Sequence, residues 1–274
     1  MNPVIILTLH HISVNPDNLT VPPKIFERLL QNLSKTHHFI SHEKFCRYLF
    51  EHEPLPKNSI LLTFDDGYLD NFIYAYPLLK KYNIPAIIFT VTGMNQISGS
   101  CRTTMPGFKP HKTLERTPDP EYFINKAEIS EMESSGLVSV HSHTVSHLSC
   151  RKQTKEKVRQ EMMESLKFIQ EHCQSKSHYA FCWPKGHHDQ TSIEVIKETP
   201  YDHAYSTIDG AYIRGTDPFL IRRIDISSFR ENEKEYFRRI RKKLLIYGTP
   251  ILSKLYSDLR EWGMRKKRAW KQKR

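Results

Sequence analysis

The stretch Ile60-Leu61-Leu62-Thr63-Phe64-Asp65-Asp66-Gly67 restricts this chain more than any other. A run of apolar and β-branched residues closed by a turn residue reads as a strand buried on both faces, the kind found in parallel α/β sheets. The two carboxylates then stand at the strand's C-terminal end, where barrel and open-sheet enzymes place their chemistry. On a continuing strand they would point to opposite faces, but a strand that breaks at Gly67 lets both converge on one site. Asp66 also reads as an N-cap for a helix over Tyr68–Tyr82. Downstream residues decide between the two readings.

The rest of the chain alternates the two periods. Val4–Leu9 reads as a first strand that carries His10 and His11 to its end. Pro23–Lys35 has apolar Ile25, Phe26, Leu29, Leu30 and Leu33 at helical spacing, and Ser41–Phe50 continues as a short helix. Ile84–Val91 is the next strand. Residues from Gly93 to Tyr122 have no period and read as a long loop over one face. Helices follow over Ala127–Ser135, Thr154–Glu171 and Thr191–Glu198. Strands follow over Leu137–His141, Tyr179–Trp183, His203–Ser206 and Phe219–Ile226. This alternation predicts βαβ units with parallel pairing, and a distorted (β/α) barrel is the architecture that fits it best.

With 274 residues the chain has room for one large domain and an extension, and 38% hydrophobic with 26% charged content is ordinary for a soluble protein. No apolar run approaches the roughly 18–20 residues of a membrane span. The apolar N-terminus lacks a basic start and a small-residue cleavage site, so it reads as a strand and not a signal peptide. Five cysteines, an odd number without a CxxC pair, suit reduced thiols in the cytoplasm. Of the 41 Lys and Arg, 15 lie in Lys234–Arg274 against Glu235, Asp258 and Glu261, a local net charge near +12 within a total of +11. The preceding residues are therefore close to neutral. The division predicted is a catalytic body over residues 1–230 and a basic amphipathic extension over 231–274.

Two further motifs carry chemistry. Ser142-His143-Thr144-Val145-Ser146-His147 follows the Leu137–His141 strand, and histidines spaced by four meet on one face of a helical turn. With a carboxylate from another strand end they make a His₂Asp set, which leaves coordination positions open for water and substrate. Phe181-Cys182-Trp183-Pro184-Lys185-Gly186 is an apolar strand running into a Pro-x-Gly turn, either an ordinary turn or a groove wall with inward N–H groups.

In this order and on strand ends, Thr63–Gly67, His143–His147 and Phe181–Gly186 resemble the motifs of the polysaccharide deacetylase family (carbohydrate esterase family 4, NodB-homology domain). The resemblance covers about residues 3–226 and implies a distorted (β/α)₇ barrel. It implies Asp65 as catalytic base and Asp66, His143 and His147 as ligands of a divalent metal, by default Zn²⁺, with Co²⁺, Ni²⁺ or Fe²⁺ as alternatives. The commonest arrangement has a catalytic histidine near the domain's C-terminal end, which is missing here. Leu9-His10-His11-Ile12 instead resembles the permuted branch, in which that histidine comes from the first strand. His10 is then the general acid and His11 a neighbour. Arg223 matches a recurrent arginine of that branch that holds Asp65. Trp183, Pro184, Lys185 and Gly186 are expected to bind or support substrate, with Trp183 in place of the family's usual arginine. His141 replaces a common glycine.

The implied activity is removal of an N-acetyl group from N-acetylglucosamine or N-acetylgalactosamine in a cell-envelope polysaccharide or lipid-linked glycan. Alternatives are a catalytically silent glycan-binding homologue, or a deformylase or O-deacetylase using the same site. The basic amphipathic residues Lys234–Tyr247, Pro250–Trp262 and Arg265–Arg274, with Trp262 and Trp270, suit an anionic membrane surface. That favours peripheral attachment at the cytoplasmic face of the inner membrane, with lipopolysaccharide-type intermediates as substrate. Nucleic acid is the rival partner for the tail, and a helix packed on the barrel is the plain structural alternative.

Overall fold

The computed structural model describes residues 3–230, 232–249 and Leu252. Strand β1 (Ile5–Leu9) is followed by the short strands β2 (His11–Ile12) and β3 (Thr20–Val21), which pair with each other. Helix α1 (Pro23–Ser34), β4 (His38–Phe39) and α2 (His42–Phe50) lead to β5 (Ser59–Phe64). The chain continues through α3 (Tyr76–Tyr82), β6 (Ala86–Thr90), α4 (His111–Arg116), α5 (Lys126–Ser134) and β7 (Val138–Ser142). Then come α6 (Lys155–His172), β8 (Ala180–Cys182), α7 (Gln190–Lys197), β9 (His203–Asp209), β10 (Ile221–Asp225) and α8 (Glu233–Tyr247). All barrel pairings are parallel, in the order β1-β10-β9-β8-β7-β6-β5, and β1 closes the ring against β5. The result is a distorted (β/α)₇ barrel, with β4 added at the edge of β5.

Period-2 alternation sets two cores. Ile5, Leu7, Leu9, Ile60, Leu62 and Phe64 face outward and pack under the helices. Ile6, Leu61, Ile87, Phe89 and Tyr205 fill the interior. Along β5 the inward positions run Leu61, Thr63, Asp65, so the interior turns from apolar to polar toward the strands' C-terminal ends. Asp65 is the next inward residue of that series, and Thr63 below it is fully buried.

Two local elements differ from the sequence reading, and a third, α8, takes the packed arrangement that the reading left open. The helix expected from Tyr68 begins as a turn and a π-helical segment, Asn71–Ala75, before α3. Pro77 is the cause: it offers no N–H to an upstream carbonyl and crowds the preceding turn, which a wider turn relieves. The loop from Gly93 to Tyr122 contains α4, whose Leu114 is buried with Tyr68, Tyr122 and Phe123. Finally, α8 carries Tyr236, Ile240 and Tyr247 into the main core. The division drawn at residue 230 therefore falls before a helix that shares the barrel's core. Apart from Leu252, Pro250–Trp262 and Arg265–Arg274 lie outside the described residues. No described helix is long and apolar enough to cross a membrane.

Candidate active site

At the C-terminal ends of the barrel strands, two segments, one after β5 and one after β7, bring one carboxylate and two imidazoles together. Asp66 follows β5 with φ of 70° and Gly67 follows at 75°, so the chain turns sharply and Asp66 leaves the barrel interior. A Cβ on Gly67 would lie 2.2 Å from Thr90 Oγ1, so only glycine fits beside β6. Asp66 Oδ1 stands 3.3 Å from both His143 Nε2 and His147 Nε2. Burial raises the Asp66 carboxyl's pKa, but the His147 charge and the bonds from both imidazoles outweigh it and hold the group well below the ordinary carboxylate value. The same partnership raises His147 despite its burial.

The two histidines are not on a helical turn, as their spacing suggested. Residues 143–147 form a loop in which Thr144 (φ 65°) and His147 (φ 59°) are left-handed. The buried Glu161 of α6 takes the place of helical hydrogen bonds: it accepts from Val145 N at 3.0 Å, Ser146 N at 2.9 Å and Ser146 Oγ at 2.8 Å. His143 Nδ1–H donates to Cys182 O at 2.8 Å, which orients the ring so that Nε2 faces Asp66. These donors, within 4.8 Å of one another, suit a divalent cation.

Asp65 stays out of that set. Arg223, from β10, grips it with two parallel bonds of 2.7 Å each and also reaches Ser206 O and Cys182 Sγ. Burial raises the Asp65 carboxyl's pKa, and the Arg223 guanidinium more than reverses this, so the group stays ionised in a nearly dry site. His10 Nε2 is 4.0 Å from Asp65 Oδ2. His10 Nδ1–H donates to Ser227 Oγ at 2.9 Å, whose own hydroxyl goes to Thr8 O, so Nε2 is the nitrogen free to exchange a proton.

The remaining sequence candidates fall around this centre. His11 turns aside to Asp70 at 2.7 Å and stacks on Tyr68, with His111 at 3.3 Å. Lys185 (φ 57°) bridges to Glu115 of α4 at 2.8 Å, and both line a cavity of about 90 Å³ with Asp66 and His147. Gly186 (φ 64°) abuts Thr207, and Pro184 is buried. Trp183 is a correction to any reading as a contact for substrate. It is fully buried among Phe181 and Tyr201, with its indole N–H donating to Phe219 O at 2.8 Å, so it props the turn from behind. His141 points away from the site, to the barrel's other end. Ser227 was legible, two residues past a barrel strand; His111 and Glu115 sit in a stretch without period and gave no signal.

The polysaccharide deacetylase family model matches residues 52–204. The chain is 28% identical over 222 residues to poly-beta-1,6-N-acetyl-D-glucosamine N-deacetylase of Staphylococcus aureus, covering 77% of this chain and 69% of that one. Among solved structures it superposes on Streptococcus pyogenes deacetylase PplD, in complex with acetate, with TM-score 0.72 and 23% identity, covering 90% of this chain and 99% of that one. IcaB from Ammonifex degensii gives TM-score 0.69 at 19% identity, over 89% and 97% of the two chains.

Proposed function

This chain belongs to the polysaccharide deacetylase family, and from that premise we propose that it removes N-acetyl groups from an amino-sugar polysaccharide with the aid of a divalent metal. The observation that carries the reading is the pairing of Asp65 and Asp66: adjacent in sequence, one is claimed by Arg223 and the other by two imidazoles. Asp66, His143 and His147 would hold the cation. When bound, it supplies Lewis acidity toward the amide carbonyl and makes water a better nucleophile near neutral pH.

The protein's own groups do the proton work. Asp65, kept ionised and oriented by Arg223, accepts a proton from the attacking water. His10, oriented through Ser227, delivers a proton from Nε2 to the departing amine, which is otherwise a poor leaving group. Lys185 and Glu115 border the cavity beside His147, which places them to meet the sugar's hydroxyls once substrate is bound. An N-acetylglucosamine or N-acetylgalactosamine unit is the substrate this reading favours, free in a polymer or carried on a lipid. Peripheral attachment to an anionic inner-membrane surface through the basic C-terminal region, with the protein cytoplasmic, completes the proposal.

Metal content measured beside acetate release from N-acetylglucosamine oligomers tests it. Asp65→Asn retains bound metal and loses turnover, whereas His147→Ala loses both. Turnover surviving Asp65→Asn, or undiminished by thorough chelation, overturns the assignment.

A further inference from the structure

The barrel's opposite end holds a second cluster of donors that the active centre does not use. His42 and Cys46 lie one turn apart on α2, and His203 opens β9 from the other side. All three are buried. His42 Nε2 stands 3.3 Å from His203 Nε2 and 3.3 Å from Cys46 Sγ, and the three donor atoms lie within 4.8 Å of one another. A contact of 3.3 Å is long for an N–H···N hydrogen bond. It equals the edge of about 3.3 Å between two nitrogens at ~2.0–2.1 Å from one tetrahedral zinc ion. The active centre has the same spacing between Asp66 and its two histidines.

We propose that His42, Cys46 and His203 form a second metal site, structural in role, for zinc or another thiolate-binding divalent ion. A thiolate with two imidazoles is a softer donor set than the all-nitrogen and oxygen set above, and such a set suits zinc. A cavity of about 320 Å³, lined by His42, Cys46, Ser139, Lys176 and His178 among others, adjoins the cluster and offers both an entry path and a water as fourth ligand.

The surrounding hydrogen bonds define what binding changes. Ala180 N–H donates to His141 Nδ1 at 3.1 Å, so neutral His141 carries its proton on Nε2, between Ser139 Oγ at 2.9 Å and His42 Nδ1 at 3.1 Å. Ligation through His42 Nε2 puts the His42 proton on Nδ1. His141 must then give its proton wholly to Ser139, and its contact with His42 lengthens. Cys46 releases its thiol proton as the thiolate forms, one proton for each ion bound.

The test uses the full chain, reduced, stripped by chelation and reloaded with Co²⁺. Only a site with a thiolate gives an intense near-ultraviolet sulfur-to-cobalt charge-transfer band. The expected result is two ions per chain by native mass spectrometry together with that band. His147→Ala keeps the band and drops to one ion. Cys46→Ser loses the band and one ion, and His203→Gln does the same should the first variant not fold. Cys182→Ser, which alters the thiol beside Asp65, keeps the band. A wild-type protein that shows no band, or a band that survives Cys46→Ser or disappears in Cys182→Ser, overturns the proposal. Because the band comes from Cys46, failure here is separable from failure of the deacetylase reading.

Discussion

Replacing Arg223 by methionine removes the counter-charge of a carboxylate that is only 3% exposed. In the native protein Asp65 receives two 2.7 Å charge-assisted bonds from Arg223. Its other neighbours are weak substitutes: Cys182 Sγ at 3.7 Å and His10 Nε2 at 4.0 Å. Breaking a buried pair by deleting one partner costs about 3–5 kcal/mol, mostly because the surviving charge is left desolvated. Asp65→Asn, which strands Arg223 instead, costs a similar amount. The double variant removes both charges, so its loss should fall short of the sum of the two singles by about 2–3 kcal/mol. Urea unfolding of the chelated proteins, with midpoint and slope fitted for all four species, reads this directly. A methionine variant within about 1 kcal/mol of wild type, or a double variant whose loss is the plain sum, refutes the account of Arg223 as the group that makes a buried Asp65 tolerable.

Other outcomes follow from the same geometry. Glu161→Ala takes away the three bonds that hold the Val145–Ser146 turn, and should weaken retention of the active-centre metal by about 10–100-fold; competition with a chelating dye measures it, and unchanged affinity refutes it. Gly67→Ala forces a Cβ against Thr90 Oγ1 at a left-handed φ, which should cost at least about 2 kcal/mol and displace Asp66; a melting curve and metal content check both. Burial lowers the pKa values of His42, His141 and His203, the last to about 3, below the unfolded value of 6.5. The unfolded chain therefore binds protons first as pH falls. Stability of the chelated protein is fully present above about pH 6.5 and declines below it, with His203 alone contributing a loss of roughly 2 kcal/mol at pH 5 and His42 and His141 acting in the same direction. Denaturant unfolding at pH 7 and pH 5 decides this; equal stabilities refute it.

Short-range pattern was enough for part of this protein. The apolar run of β5, broken by Asp65, Asp66 and Gly67, announced a buried parallel strand with chemistry at its end, because strand burial and turn formation depend on neighbours in sequence. His143 and His147 were visible as a pair for the same reason, whereas His10 was singled out from His11 only by the resemblance to the permuted branch. The pair's loop geometry was not visible, because Glu161, which shapes it, comes from a different element. Nor did the pattern reveal that Trp183 is enclosed, or that π-helical turns precede α3. Barrel closure decided the rest. Pairing β1 with both β5 and β10 fixes which alternate residues share the interior, and only then does Arg223 meet Asp65 at one end while His42, Cys46, His141 and His203 meet at the other. Such meetings join residues that no local period relates, so they are properties of the closed sheet and not of any segment within it.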